Sequence, residues 1–279
     1  FMKKFLFFFA LVIASLFSFA QVRMPAPSTT QYIKQDFGMS SIELTYSRPN
    51  LKGRKIIGVV EPWNVLWRTG ANAATKITFN DAVQIGNTKI DSGSYAIYTI
   101  PQKNGTWQFI INKGYKNSGV TGYTQSDDVL RMNIKVNKNA QKIETLTMQF
   151  GNVLPESCVL NIAWEDFNMS IPITTNIKDR LKAQFESALM SDKKPYWQAA
   201  QYYNDYENNK VKALEMINKA IAQSDKPAFY QVYYKAKLQK ELGDKKGAVA
   251  TAKQSLELSK EANNDTYVLM NQKLIAELK

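Results

Sequence analysis

The stretch SGSYAIYTIPQKNGTWQFIINK, residues 92–113, is the one whose reading decides the fold of the first half of the chain. It holds two short runs rich in aromatic and β-branched residues, Tyr95-Ala96-Ile97-Tyr98-Thr99-Ile100 and Trp107-Gln108-Phe109-Ile110-Ile111. Between them Asn104-Gly105 is a hairpin signal, because glycine accepts the positive φ that a tight turn demands. The same apolar and polar alternation recurs outward from this hairpin at residues 41–46, 75–79, 130–136, 143–150, 159–164 and 169–173. Runs of period two bounded by Gly, Asn and Asp predict half-buried antiparallel strands. Eight of them between residues 21 and 174 predict an N-terminal antiparallel β-sandwich, jelly-roll-like.

Past residue 174 the pattern changes. Eleven of the thirteen glycines and seven of the nine prolines precede residue 175, and the remainder of the chain is rich in Ala, Lys, Gln, Glu and Leu, which favour helix. Aligning Asn209-Lys210-Val211-Lys212-Ala213-Leu214 with Asp244-Lys245-Lys246-Gly247-Ala248-Val249 gives an internal offset of 35, which also sets Ala220 on Ser255. A repeat of that period with small residues at matched positions resembles the tetratricopeptide helical hairpin, since small side chains let paired helices approach closely. Pro195 and Pro227 follow Ser191-Asp192 and Ser224-Asp225, which suits helix starts. The expected fold class is therefore α+β, with a sandwich over residues 21–174 and an all-α tetratricopeptide-like array over 175–279. About five or six helices fit between Ile177 and Leu278.

The 279 residues include no histidine and one cysteine, Cys158. Ser-His-Asp triads, Cys-His dyads, histidine-ligated zinc and histidine acid–base catalysis are excluded, as are an intramolecular disulfide and a four-cysteine metal site. Carboxylate, Lys, Tyr and Ser chemistry remain. No cofactor and no metal site are expected, and no catalytic residue is assigned; the reading leans away from an enzyme.

Lys3 and Lys4, the apolar run from Phe5 to Phe17 and the small residues of Ser18-Phe19-Ala20 form a secretory signal peptide over residues 1–20. Cleavage is expected before Gln21, with Met2 as the natural start. The apolar run is short for a bilayer span and residue 21 is no cysteine, so neither a membrane span nor a lipid anchor is expected in the mature chain. That chain is expected in the periplasm or outside the cell. Net charge is +12, falling to +10 without the leader's two lysines. The excess is spread, with 16 basic against 11 acidic residues over 21–174 and 18 against 13 over 175–279. With no basic cluster interleaved with stacking aromatics, nucleic acid is not an expected partner.

One segment is neither good strand nor good helix: SRPNLKGRKIIG, residues 47–58, followed by PWNVLWRTGANAATKI, residues 62–77. Together with SGSYAIYTIP and WQFIINK, this resembles the domain of unknown function 2911, found mainly in exported proteins of Bacteroidetes, over roughly residues 25–170. The resemblance implies export and a helical tail, but no activity and no catalytic residue. At the family's usual Arg-Thr-Gly-Ala-Asn-Glu-Ala-Thr this chain has Ala73 in place of the acid.

Residues 47–72 concentrate Arg48, Lys52, Arg54, Lys55 and Arg68 against one acid, Glu61, with Trp63 and Trp67 nearby. Fork-shaped cationic donors beside aromatic faces can hold a carboxylate, a phosphate or a sugar acid. The candidate ligand-binding residues are Arg48, Lys52, Arg54, Trp63, Trp67, Arg68 and Asn72. The structural alternative is that a tryptophan of this loop packs in the core and the arginines satisfy buried carbonyls or pair with Glu61. Tyr95 is expected to be a core tyrosine bonded back to backbone, and Asp127-Asp128 a solvated turn. Two function classes remain. The preferred one is an exported, non-catalytic binding or scaffold protein of the bacterial envelope, with an anionic or sugar ligand on the β domain and a protein partner on the helical repeats. The alternative is a histidine-free hydrolase or lyase of envelope glycan, which needs two carboxylates facing across a cleft.

Overall fold

In the computed structural model, which describes residues 24–278, the chain divides into two compact units with the boundary between Thr175 and Asn176. The expected signal peptide and its expected cleavage point lie outside the described residues. The architecture is α+β, a nine-stranded antiparallel sheet followed by six helices.

The strands are β1 (Thr29–Phe37), β2 (Ser40–Arg48), β3 (Ala71–Phe79), β4 (Val83–Ile85), β5 (Thr88–Ile90), β6 (Gly93–Ile100), β7 (Thr106–Asn112), β8 (Asp128–Leu154) and β9 (Ser157–Thr174). Their order in the sheet is β1-β2-β3-β6-β7-β8-β9-β4-β5. The hairpin read from Asn104-Gly105 is β6–β7, with Gly105 at φ 76. The runs expected at 130–136 and 143–150 are one strand, β8, and those at 159–164 and 169–173 are one strand, β9. β1 escapes a reading by period because, among its nine residues, only Phe37 is buried, so its apolar alternation is weak.

β8 is the strand that shapes the unit. Its first residues pair with β7, as in Ile134 with Trp107, whereas Val136 onward pairs with β9. Its later part also meets the end of β2 and the segment beyond it: Leu146 N–H donates to Pro49 O at 3.0 Å, and Leu51 N–H donates to Glu144 O at 2.9 Å. Buried side chains from all nine strands, among them Leu44, Ile77, Phe109, Leu146 and Ile162, then share one core. β6 and β7 are covered on both faces, since Tyr98 and Ile110 lie in a smaller cluster under Tyr123 and Leu66. That explains their near-continuous apolar runs, because a strand buried on both sides loses its alternation.

Tyr46 ties β2 to β8 through the core. Its ring is 2% exposed, its hydroxyl donates to Gln31 Oε1 at 2.7 Å, and it accepts from Met148 N–H at 2.8 Å. The second unit contains α1 (Lys178–Ala188), α2 (Tyr196–Asp205), α3 (Lys210–Ala222), α4 (Phe229–Glu241), α5 (Lys245–Glu261) and α6 (Asp265–Leu278). Consecutive helices from α2 to α6 pack on one another. The residues matched at the repeat offset behave alike. Asn209 caps α3 by accepting from Lys212 N–H at 3.0 Å, and Asp244 caps α5 by accepting from Gly247 N–H at 2.8 Å. Ala213, Ala220, Ala248 and Ser255 are all buried, so close helix approach is what the small side chains supply. Among the described residues no helix is long and apolar enough to cross a membrane.

Replacing Tyr46 by Phe keeps the ring but strips the buried Met148 N–H of its acceptor. Tyr46→Phe is expected to lower stability by about 1–3 kcal/mol in urea unfolding, the cost of an orphaned buried donor. A change below a few tenths would show that the Tyr46 hydroxyl does not tie these strands.

Candidate functional site

Residues 49–70, between β2 and β3, run as irregular backbone, and their geometry follows from where their polar groups find partners. Ile56 and Ile57 are buried, and both of their N–H groups donate to one carboxylate oxygen of Glu165, at 3.1 and 3.2 Å. Glu165 sits in β9 at φ 50, where the pairing with β8 shifts register; the kink leaves Trp164 and Glu165 both buried although they are sequence neighbours. At the far end of the loop, Trp67 and Thr99 exchange backbone hydrogen bonds at 2.8 and 3.0 Å, and Thr75 Oγ1 donates to Thr69 O at 2.7 Å. Lys52, Asn64, Thr69 and Asn72 all take positive φ. For non-glycine residues that is strained backbone, which persists only where the surroundings impose it.

The loop lines a cleft of about 330 Å³ with Arg54, Glu61, Arg68, Asn72 and Trp164 among its walls. Of the seven candidate residues, the structure brings Arg54, Arg68 and Asn72 together there. Arg54 turns part of its guanidinium on its own loop, donating to Leu51 O at 3.0 Å and Asn50 O at 2.8 Å. Arg68 donates from Nη1 to Asn72 O at 2.8 Å and lies against Gly119, where a Cβ would come within 2.6 Å of that nitrogen. Asn72 donates to Ser47 Oγ at 3.2 Å.

The remaining four candidates go elsewhere. Arg48 donates to Leu146 O and to Thr147 Oγ1, both at 3.0 Å, and so helps bind β2 to β8. Lys52 is exposed, outside the cleft walls, and its backbone N–H donates to Glu144 Oε1 at 2.8 Å. Trp67 is 1% exposed and stacked on Trp164 at 5.9 Å between ring centroids; it belongs to the core. Trp63 is half-buried against Gly58 and lines a different pocket. The structural alternative thus describes Arg48 and Trp67.

The electrostatics centre on Glu61. Burial pushes its carboxyl above the ordinary carboxylate range, and the Arg68 guanidinium pulls it partway back. Its carboxylate has no hydrogen-bond partner among the described residues. It is also the one carboxylate among the residues lining this cleft, so no acid–base pair faces across it. Ala73, where the family pattern carries an acid, is exposed on β3. Burial acts on two further groups of the β unit. Burial pushes the Cys158 thiol up to about 11, away from thiolate, and burial together with the Asp128 carboxylate pushes Tyr123 up to about 12. Tyr95 donates to Asp91 O at 3.0 Å, the backbone tie expected of it. Asp128 corrects its expectation, because its side chain is 8% exposed and bound to Arg131 at 2.8 Å rather than solvated in a turn.

Sequence reasoning missed Glu165 and Gly119. The broken alternation at Trp164-Glu165-Asp166 is a signal of the bulge in β9, whereas a glycine needed for an arginine to lie flat against backbone leaves no local pattern.

A carboxylate whose folded pKa is raised is penalised when charged. The penalty is absent below the ordinary value near 4.5 and grows as pH rises through the folded value. Glu61→Gln is therefore expected to raise the melting temperature at neutral pH, with the gain vanishing at about pH 4. A variant less stable than wild type at both pH values would show instead that the charged carboxylate stabilises the loop.

A family model described as "Protein of unknown function (DUF2911)" matches residues 28–173. No curated protein and no solved structure matches the chain. The matched region begins at Ser28 and takes in every residue lining the arginine cleft, and it covers more than half of the sequence; the chain belongs to the DUF2911 family.

Proposed function

We propose that this is an exported, non-catalytic binding or scaffold protein of the bacterial envelope, of the Bacteroidetes type that its sequence resembles. Its first unit acts as a jelly-roll-like sandwich whose arginine cleft holds an anionic ligand, a carboxylate, phosphate or sugar acid. Its helices serve as a tetratricopeptide-like array for a protein partner. The leader-like residues 1–20 support export, the single core shared by all nine strands supports a sandwich, and the equivalent caps at Asn209 and Asp244 support a repeat. The observation that carries the reading is the cleft itself. Two arginines from different parts of one strained loop meet there beside a carboxyl that burial pushes above the ordinary carboxylate range, a set able to receive an anion. The glycan hydrolase alternative finds no second carboxylate in this cleft.

Calorimetric titration with sugar acids, inorganic phosphate and peptidoglycan fragments tests the reading. Arg68→Ala is expected to weaken binding roughly ten- to hundredfold, the worth of a charge-assisted hydrogen bond, while barely moving the melt, because the bond it makes within the protein is exposed. A large fall in melting temperature with no ligand found would reject the cleft as a site. Export has its own check: native protein is expected to begin at Gln21 on N-terminal sequencing, and an intact Met2 would refute cleavage.

A further inference from the structure

The loop that forms the arginine cleft also lines a second pocket of about 310 Å³, at the lower end of the roughly 300–1,000 Å³ typical of small-ligand sites. Its aromatic lining is Trp63, Trp107 and Phe167, with the last two rings 4.5 Å apart between centroids. Neither Trp63 nor Trp107 donates its indole N–H to an acceptor among the described residues, whereas Trp67 and Trp164 both do. Three lysines, Lys55, Lys103 and Lys138, stand at this pocket on three separate segments, and none of them is ion-paired among the described residues.

The backbone beneath each lysine is fixed. Lys55 precedes the Ile56 and Ile57 N–H groups held by Glu165. Lys103 is on the β6–β7 turn, where Asn104 Oδ1 accepts from Thr106 N–H at 3.0 Å and Gly105 O accepts from Val136 N–H at 2.8 Å. Lys138 pairs with Phe167 across β8 and β9. Of the two acids at the pocket, Glu165 is buried and engaged by those two N–H groups, which leaves Asp166 as the exposed acid against three ammonium groups.

An aromatic lining, the amides of Gln102 and Asn137 and an excess of cations match a ring that is apolar on its faces, hydroxylated at its edge and negatively charged. We propose that this pocket binds a carboxylated sugar ring, with the pyranose face against Trp63 and the carboxylate among Lys55, Lys103 and Lys138. The site is separate from the arginine cleft and does not depend on the reading given for it.

Titration of the full chain with D-glucuronate, D-galacturonate and neutral D-glucose, followed by calorimetry and by saturation-transfer NMR, tests this. Both uronates are expected to bind saturably, and glucose at least about tenfold more weakly, since it lacks the charge. Lys103→Ala combined with Lys138→Ala removes two exposed side chains and is expected to cut uronate affinity by about tenfold or more with an unchanged melt. Trp63→Phe keeps a ring and is expected to keep binding, whereas Trp63→Ala loses it. Arg68→Ala is expected to leave untouched the uronate binding that the lysine pair weakens, whereas uronate binding lost in Arg68→Ala and kept in the lysine variant would belong to the arginine cleft and count against this pocket. No binding of either uronate at millimolar concentration, equal binding of glucose, or affinity insensitive to the lysine pair would overturn the proposal.

Discussion

The Glu165 carboxylate accepts from two consecutive backbone N–H groups, those of Ile56 and Ile57, and the path of the irregular loop between β2 and β3 depends on that contact. A loop that dives below the surface without regular structure carries donors that no ladder can satisfy, and each one left bare costs about 1–3 kcal/mol. One carboxylate oxygen meeting two of them at once removes two of these liabilities. It also determines where the loop turns, and hence which side chains face the arginine cleft and which face the aromatic pocket. Ile56 lines the first and Ile57 the second, so the pinned dipeptide is the wall between the two.

The same economy of polar groups recurs where β8 passes β2. Tyr46 supplies a hydroxyl that both donates and accepts, and Arg48 donates to Leu146 O and Thr147. These side chains occupy the end of β2, at the point where ladder pairing with β3 is interrupted by a bulge between Thr45 and Ser47. Side-chain bonds there take over a task that the ladder cannot perform. Arg48 is therefore a fastening, and position alone distinguishes it from Arg68, which lies at the cleft.

The strands were legible where burial is one-sided or complete, as in the hairpin around Asn104-Gly105, because period and turn chemistry are local properties. The change of period near residue 175 was legible for the same reason, as was the offset that sets Asn209 on Asp244. The fusion of residues 130–136 and 143–150 into β8 was not, since residues 137–142 are polar apart from Ala140 and read as a break although their backbone stays extended. At the candidate site, the concentration of cations in residues 47–72 marked the loop that lines the cleft. It could not tell which cations share a cleft, because that is decided by Glu165, more than a hundred residues away in sequence, and by the bulge that buries it. Trp67 and Trp63 look alike in the sequence, yet one is sealed under Trp164 and the other stands at a pocket.

The two ends of the sheet are β1 and β5, and neither invites another chain to add on. β5 is three residues long, too short to template a partner strand, and Lys89 at its centre is exposed. β1 is longer, but it carries Gln31, Lys34, Gln35 and Asp36 along its length, and a charged, polar rim of this kind disfavours strand addition. A protein presenting nine strands would otherwise be a ready seed for polymerisation at high concentration. Here a short strand at one rim and a polar, charged strand at the other disfavour edge-to-edge pairing between copies.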